Sequence, residues 1–247
     1  MAKDCQGTTV HAVRFVDRRG PVFFASLPYA PCATETLKEC GANGAGDKHR
    51  LVSILWDHFA ALENRPWKHY PSSNRADLPI QIVIGLLGKP YLLLGKERGP
   101  AISFSTCGGK VWAALCGDET DMGIDAAGSD EFQSAYPYQR VFQPQEFQDA
   151  LRLTSGNLEE ASALLWSVKE AIVKALGCGF HLVDPRHITV QPPLAGGGGY
   201  TFPVCLSEKS LERFPLVAGQ PLWVRSLLQN KIWFSIALVN RKATVHE

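Results

Sequence analysis

Trp166-Ser-Val-Lys169-Glu170-Ala-Ile-Val-Lys174-Ala-Leu-Gly177-Cys-Gly179, read together with Met122-Gly-Ile-Asp125 upstream, decides the fold of this chain. The first stretch reads as the end of a long helix over 157–177 that stops at glycine, with Ser155 or Asn157 as its N-cap. Its apolar stripe is Leu158, Ala161, Leu165, Val168, Ile172 and Leu176. Trp166, Glu170 and Lys174 recur every four residues and so rise along one face of the helix, away from that stripe. The second stretch reads as a buried strand that ends by presenting an aspartate.

Working outward, 9–17 and 22–28 read as strands, and the residues up to Gly46 as a loop. Asp47 reads as the N-cap of a helix through LVSILWDHFAALE. Residues 65–78 lack a period and read as a loop. IQIVIGLL (80–87), ISFS (102–105) and KVWAALCG (110–117) read as strands, Gly88-Lys89-Pro90 as a turn after a strand, and Ser103-Phe-Ser105-Thr106-Cys107-Gly108-Gly109 as a small hydroxyl-rich turn between two strands. Beyond MGIDAAG come a short helix at 145–152, the long helix, and four β-runs: HITVQ, YTFPVCL, PLWVRSLL and KIWFSIALV. LAGGGGY (194–200) reads as a flexible hairpin turn, since no Lys-Ser/Thr follows it as in a phosphate loop.

Strands, one long helix, then antiparallel strands is therefore an order that occurs twice. It predicts an α+β fold of two lobes, 1–118 and 119–247, each with a long helix on a small antiparallel sheet and a ligand cleft between them. The 247 residues are enough for either one large domain or two. A formal net charge of +1 gives no support to bulk nucleic-acid binding. There is no long apolar run of a signal peptide or membrane span, so no membrane partner is expected. The seven cysteines form no CxxC pair and are expected as free, mostly buried thiols in a reducing cytoplasm.

Taken alone, Glu170 and Lys174 are an exposed ion pair worth about 0.3–0.5 kcal/mol, and Asp125 opens an Asx-type turn. Taken together they suggest a Mg²⁺–phosphate site. A hard cation takes oxygen ligands and commonly needs only one or two protein carboxylates beside substrate phosphates and water. Lys89 at its proline turn and the hydroxyls of 103–106 are further candidate phosphate contacts, each also explicable as part of an ordinary hairpin.

GKPYL (88–92), FSTCGGKVWAAL (104–115) with GID (123–125), and WSVKEAIVKALGCGF (166–180) resemble, in this order, the 4′-phosphopantetheinyl transferase superfamily in its two-lobed, surfactin-synthetase-activating branch. The resemblance covers about residues 47–190. It implies a pseudo-twofold pair of α+β lobes, with the coenzyme A adenine and 3′-phosphate on the first lobe and the metal and carrier protein on the second. It implies transfer of phosphopantetheine from coenzyme A to a serine of an acyl or peptidyl carrier protein, releasing adenosine 3′,5′-bisphosphate.

By position, Asp125 and Glu170 would hold Mg²⁺ or Mn²⁺, Lys174 would neutralise the departing phosphate, and Lys169 would bind the same group. Glu146 would stand near the attacking serine, with Glu146 or Glu170 as general base. Ser105 would contact the pyrophosphate, Lys89 and Pro90 would edge the adenine, and Arg50, with Lys48 and Thr106, would hold the 3′-phosphate. Three positions depart from the family pattern: Ala127 replaces a further carboxylate, Thr106 a histidine, and the basic run before the first helix is reduced to Lys38, Lys48 and Arg50. A non-catalytic coenzyme A or carrier-protein binding module is the alternative reading, and an unrelated Mg²⁺-dependent phosphohydrolase a third. An acidic carrier protein docking near Arg140, Arg152 and Lys169 is expected, and a monomer suffices for such a site.

Overall fold

The computed structural model describes residues 2–3, 8–15, 20–29, 40–63, 80–85, 87–117, 120–133, 136–196 and 198–240. Lys38 and the 65–78 loop lie outside the described residues. The protein is α+β with antiparallel sheets, and it divides into two compact units, Met1–Asp118 and Glu119–Glu247.

In the first unit, β1 (Ala2–Lys3), β2 (Thr9–Val13) and β3 (Val22–Pro28) precede helix α1 (Cys40–Glu63). β4 (Ile80–Ile84), β5 (Pro90–Leu94) and β6 (Glu97–Arg98) form a small separate sheet, and β7 (Ala101–Cys107) and β8 (Lys110–Cys116) close the main one. The main sheet runs β1-β2-β3-β8-β7, all antiparallel, with α1 packed on β3 and β8. Leu51, Val52, Leu55 and Phe59 of α1 bury against Phe23, Ala25, Ile102 and Leu115.

The helix starts well before Asp47, which therefore lies inside it and is not its cap. Gly41, Gly44 and Gly46 made this stretch read as a loop, since each costs about 1 kcal/mol against alanine within a helix. Burial of the Leu51–Phe59 stripe overrides that propensity. Lys89 and Pro90 sit where a hairpin returns from β4 into β5, closed by the Gly85 N–H to Lys89 carbonyl bond of 2.9 Å.

In the second unit, β9 (Thr120–Gly128) runs into a 3₁₀ turn (Ser129–Phe132), then α2 (Tyr138–Val141), α3 (Pro144–Leu153) and α4 (Leu158–Leu176). β10 (Ile188–Val190), β11 (Leu194–Gly196), β12 (Gly199–Leu206), α5 (Glu208–Arg213), β13 (Leu222–Gln229) and β14 (Ile232–Asn240) follow. The sheet order is β10-β12-β13-β14-β9, with β11 folded back on β12 in the hairpin that the glycine run allows. The strand before the helix pairs with the last strand of its own unit, β3 with β8 and β9 with β14, so one connection is used in both units.

α4 is closed at both ends as its sequence dictates. The Asn157 side chain accepts the Glu160 N–H at 2.8 Å, which decides the cap in favour of Asn157. Ser155 instead turns the chain in the left-handed region between α3 and α4. Gly177 ends the helix at φ 79°, with the Cys178 N–H returning to the Val173 carbonyl at 2.9 Å in a Schellman closure. Leu158 is exposed, whereas Leu164, Ala171, Val173 and Ala175 join the buried set, so α4 is more enclosed than its stripe predicted.

No described helix is long and apolar enough to cross a membrane. Among the described residues, Cys107, Cys116 and Cys178 are buried and Cys205 is exposed, all four as thiols and not disulfides.

Candidate functional site

Between Ala161 and Ala175 every residue of α4 is buried except Trp166, Glu170 and Lys174. The four-residue spacing thus leaves one narrow open strip on an otherwise enclosed helix. Asp125 is brought to this strip by β9, which packs along α4. The Lys174 Nζ lies 2.8 Å from Asp125 Oδ1 and 3.3 Å from Glu170 Oε1. Two carboxylates from different elements therefore converge on one ammonium. Burial alone would lower the Lys174 pKa, but the charges of Asp125 and then Glu170 outweigh it and hold the pKa above the ordinary lysine value.

Gly123 is what lets the strand come this close. A Cβ there would stand 2.1 Å from the Ala171 carbonyl oxygen and 2.3 Å from the Ala175 nitrogen, both backbone atoms that cannot swing away. Two residues on and facing the same way, Asp125 meets Lys174. Sequence reading took Gly123 only as part of a motif. Its signal was a glycine inside an apolar strand, which marks close backbone approach. Across the sheet, Ser235 stands opposite Asp125. Its hydroxyl bonds those of Ser167 and Ser226, each at 2.7 Å, and so ties α4 to β13 and β14 beneath the strip.

Lys169 and Glu146 behave differently. Lys169 is 0% exposed. Its ammonium pairs with Glu146 Oε1 and donates to the carbonyls of Pro185 and Ile188, each at 2.8 Å. Glu146 in turn accepts the Gln143 N–H at 2.8 Å and the Val190 N–H at 2.9 Å. Burial lowers the Lys169 pKa, and Glu146 offsets that only in part.

This geometry departs from the expectation that Lys169 binds a phosphate and docks a carrier while Glu146 meets an attacking hydroxyl. Both side chains are spent on each other and on backbone, fastening α3, α4 and β10. The sequence could not show it, because the partners come from segments up to 44 positions apart.

In the first unit, Lys48 lies over the Phe104 ring, 5.5 Å from its centre. The hydroxyl-rich run is strand rather than turn, since β7 extends to Cys107 and only Gly108 and Gly109 turn. Its two-residue period puts Thr106 on the face of Phe104 and Lys48, and Ser105 on the opposite, buried face. Arg50 is exposed on α1, three residues from Asp47 and one turn from Ile54.

Tyr136, between the 3₁₀ turn and α2, meets the Phe132 ring edge-on at 4.8 Å, and Phe132 lies 6.2 Å from Trp166. Its phenol pKa is pushed up to about 12, by burial first, then by Tyr138 and by the Glu170 charge.

Among the described residues no group of three or more His, Cys, Asp or Glu gathers as a metal cluster. Asp125 and Glu170 remain, two hard oxygen donors aimed at a point where a cation already sits, the Lys174 ammonium. That donor set fits a Mg²⁺ whose remaining positions go to water and phosphate.

The family model of the 4′-phosphopantetheinyl transferase superfamily matches residues 121–212, from β9 into α5. The match contains Asp125, Glu146, Lys169, Glu170 and Lys174. Arg50, Lys48, Lys89, Pro90, Ser105 and Thr106 lie outside it. It supports phosphopantetheine transfer, a transferase activity, as the general class of chemistry. No curated protein matches the chain significantly.

Proposed function

We propose that this protein transfers 4′-phosphopantetheine from coenzyme A to a serine of an acyl or peptidyl carrier protein and releases adenosine 3′,5′-bisphosphate. The observation that carries the reading is the convergence of Asp125 and Glu170 on Lys174 within the segment that matches the superfamily model.

Asp125 and Glu170 would hold Mg²⁺, or Mn²⁺ in its place. The ion supplies charge neutralisation at the pyrophosphate when bound. Displacement at phosphorus asks the protein mainly for positioning and for cancelling charge. Lys174 meets the second demand. Its ammonium is held by two carboxylates and stays protonated, ready to pair with the oxygen that takes charge as the phosphoanhydride bond breaks. Glu170, partly open on the strip, takes the serine proton as general base. Glu146 is withdrawn from that role by its burial with Lys169. Lys48, Arg50, Lys89, Pro90, Ser105 and Thr106 are proposed to contact the nucleotide end of coenzyme A.

Intact-mass spectrometry of an apo carrier protein incubated with this protein, coenzyme A and Mg²⁺ tests the reading. A gain of one phosphopantetheine that EDTA abolishes, and that Glu170→Ala lowers by orders of magnitude, is the expected result. No gain on fatty-acid, polyketide and peptide-synthetase carriers, with coenzyme A still bound, would overturn it in favour of a binding module.

A further inference from the structure

The indole Nε1–H of Trp233 is the one buried polar side-chain atom without a hydrogen-bond partner among the described residues. The residue is 3% exposed. Nearly all buried N–H groups of native proteins find an acceptor, in the protein or in an internal water.

The register of the sheet shows where the indole lies. Trp233 stands opposite Leu228 of β13, and Ser235, two residues on, stands opposite Ser226. Tyr200 of β12 also stands opposite Ser226. These residues therefore share one face, the face on which Ser235 meets Ser167 of α4. Tyr200 and Trp233 are separated by β13, yet their ring centres are 6.0 Å apart. The rings meet across β13, over Ser226 and Leu228, its side chains on that face. Ser226 is fully buried there, and the exposed Leu228 leaves a short way in from solvent.

The serine chain runs in one direction. Ser167 gives its only proton to the Leu164 carbonyl at 2.9 Å. The bond between Ser167 and Ser235 must then use the Ser235 proton, and the bond between Ser235 and Ser226 the Ser226 proton, each at 2.7 Å. Ser226 Oγ is left with lone pairs that accept from none of the described groups. One face of β13 thus gathers a donor without an acceptor and an acceptor without a donor, and the two are not bonded to each other.

A cation cannot take an N–H, and a simple anion cannot give Ser226 a proton. A water does both. We propose that one buried water bridges Trp233 Nε1 and Ser226 Oγ, accepting from the indole and donating to the serine. It completes a chain of hydrogen bonds from Trp233 through Ser226, Ser235 and Ser167 to the Leu164 carbonyl, and so belongs to the joint between α4 and its sheet. This hydration site stands whether or not the protein performs the transfer proposed above.

A high-resolution crystal structure of the full chain tests it. A water within about 3 Å of both Nε1 and Ser226 Oγ is the expected result. Nε1 bonded directly to a protein acceptor, or facing a dry gap, would overturn the proposal. In solution, the Trp233 indole proton should show a nuclear Overhauser contact with water, its signal identified by its loss in Trp233→Phe. Ser226→Ala should weaken that contact several-fold. A contact of unchanged strength in Ser226→Ala would sink the bridge, and if that variant does not fold, the wild-type crystal structure decides alone.

Discussion

At the scale of single residues, Lys174 shows how a charged group is kept ready in a half-buried place. Desolvation works against its charge, and two carboxylates restore it. Because its pKa is raised on folding, its contribution to stability is fully present below the ordinary lysine pKa. It is lost only as pH climbs through the folded value. The stability difference between wild type and Lys174→Met, followed by urea denaturation, should therefore be flat from neutral to mildly alkaline pH and shrink beyond. A difference that instead grew with alkalinity would contradict the pairing.

Lys169, five positions earlier, is the opposite case. Lys169→Met strands the Glu146 carboxylate in the core, at a cost of about 3–5 kcal/mol. The double variant Lys169→Met/Glu146→Gln should recover part of it. Transfer per folded molecule should survive in the double variant, and its disappearance would return the pair to the chemistry.

At the scale of elements, the contact of β9 with α4 sets the site. Gly123→Ala forces apart two backbones that otherwise nearly touch. The expected result is a fall of several degrees in thermal midpoint together with at least tenfold weaker Mn²⁺ binding, read by calorimetry. Retained Mn²⁺ affinity would mean that the strand tolerates the shift.

Much of this level was legible in advance. The period of Trp166, Glu170 and Lys174 and the stop at Gly177 are local signals, and the structure keeps them; the strand, however, does not end or turn at Asp125 but stays paired with β14 as far as Gly128. What the sequence hid is long-range. α1 begins among glycines because packing elsewhere holds it, Ser105 and Thr106 part company because they share a strand, and Lys169 finds Glu146 through the fold.

At the scale of the whole molecule, the two units repeat one connection, with the strand before the helix pairing with the last strand of its own unit. Both share the economy of a hairpin-rich sheet backed by a single long helix. The second unit presents Arg140, Arg152 and Arg186 as exposed cations, Arg152 already leaning on Asp149 at 2.7 Å. Lys169 is withdrawn from this surface. If an acidic carrier protein is steered to it, raising ionic strength from low to physiological should slow transfer at sub-saturating carrier by several-fold and leave the saturated rate alone. A rate indifferent to salt would remove the steering.

The ammonium between Asp125 and Glu170 has one more consequence, for how the protein matures. Two acidic groups meeting inside a folding chain would ordinarily push the strand and helix apart until an ion arrived. Here the chain brings its own counter-charge, in the same helix as one of those groups. The strand and helix can therefore close on each other without waiting for a divalent ion, and on the function proposed above such an ion would be bound by a scaffold already assembled.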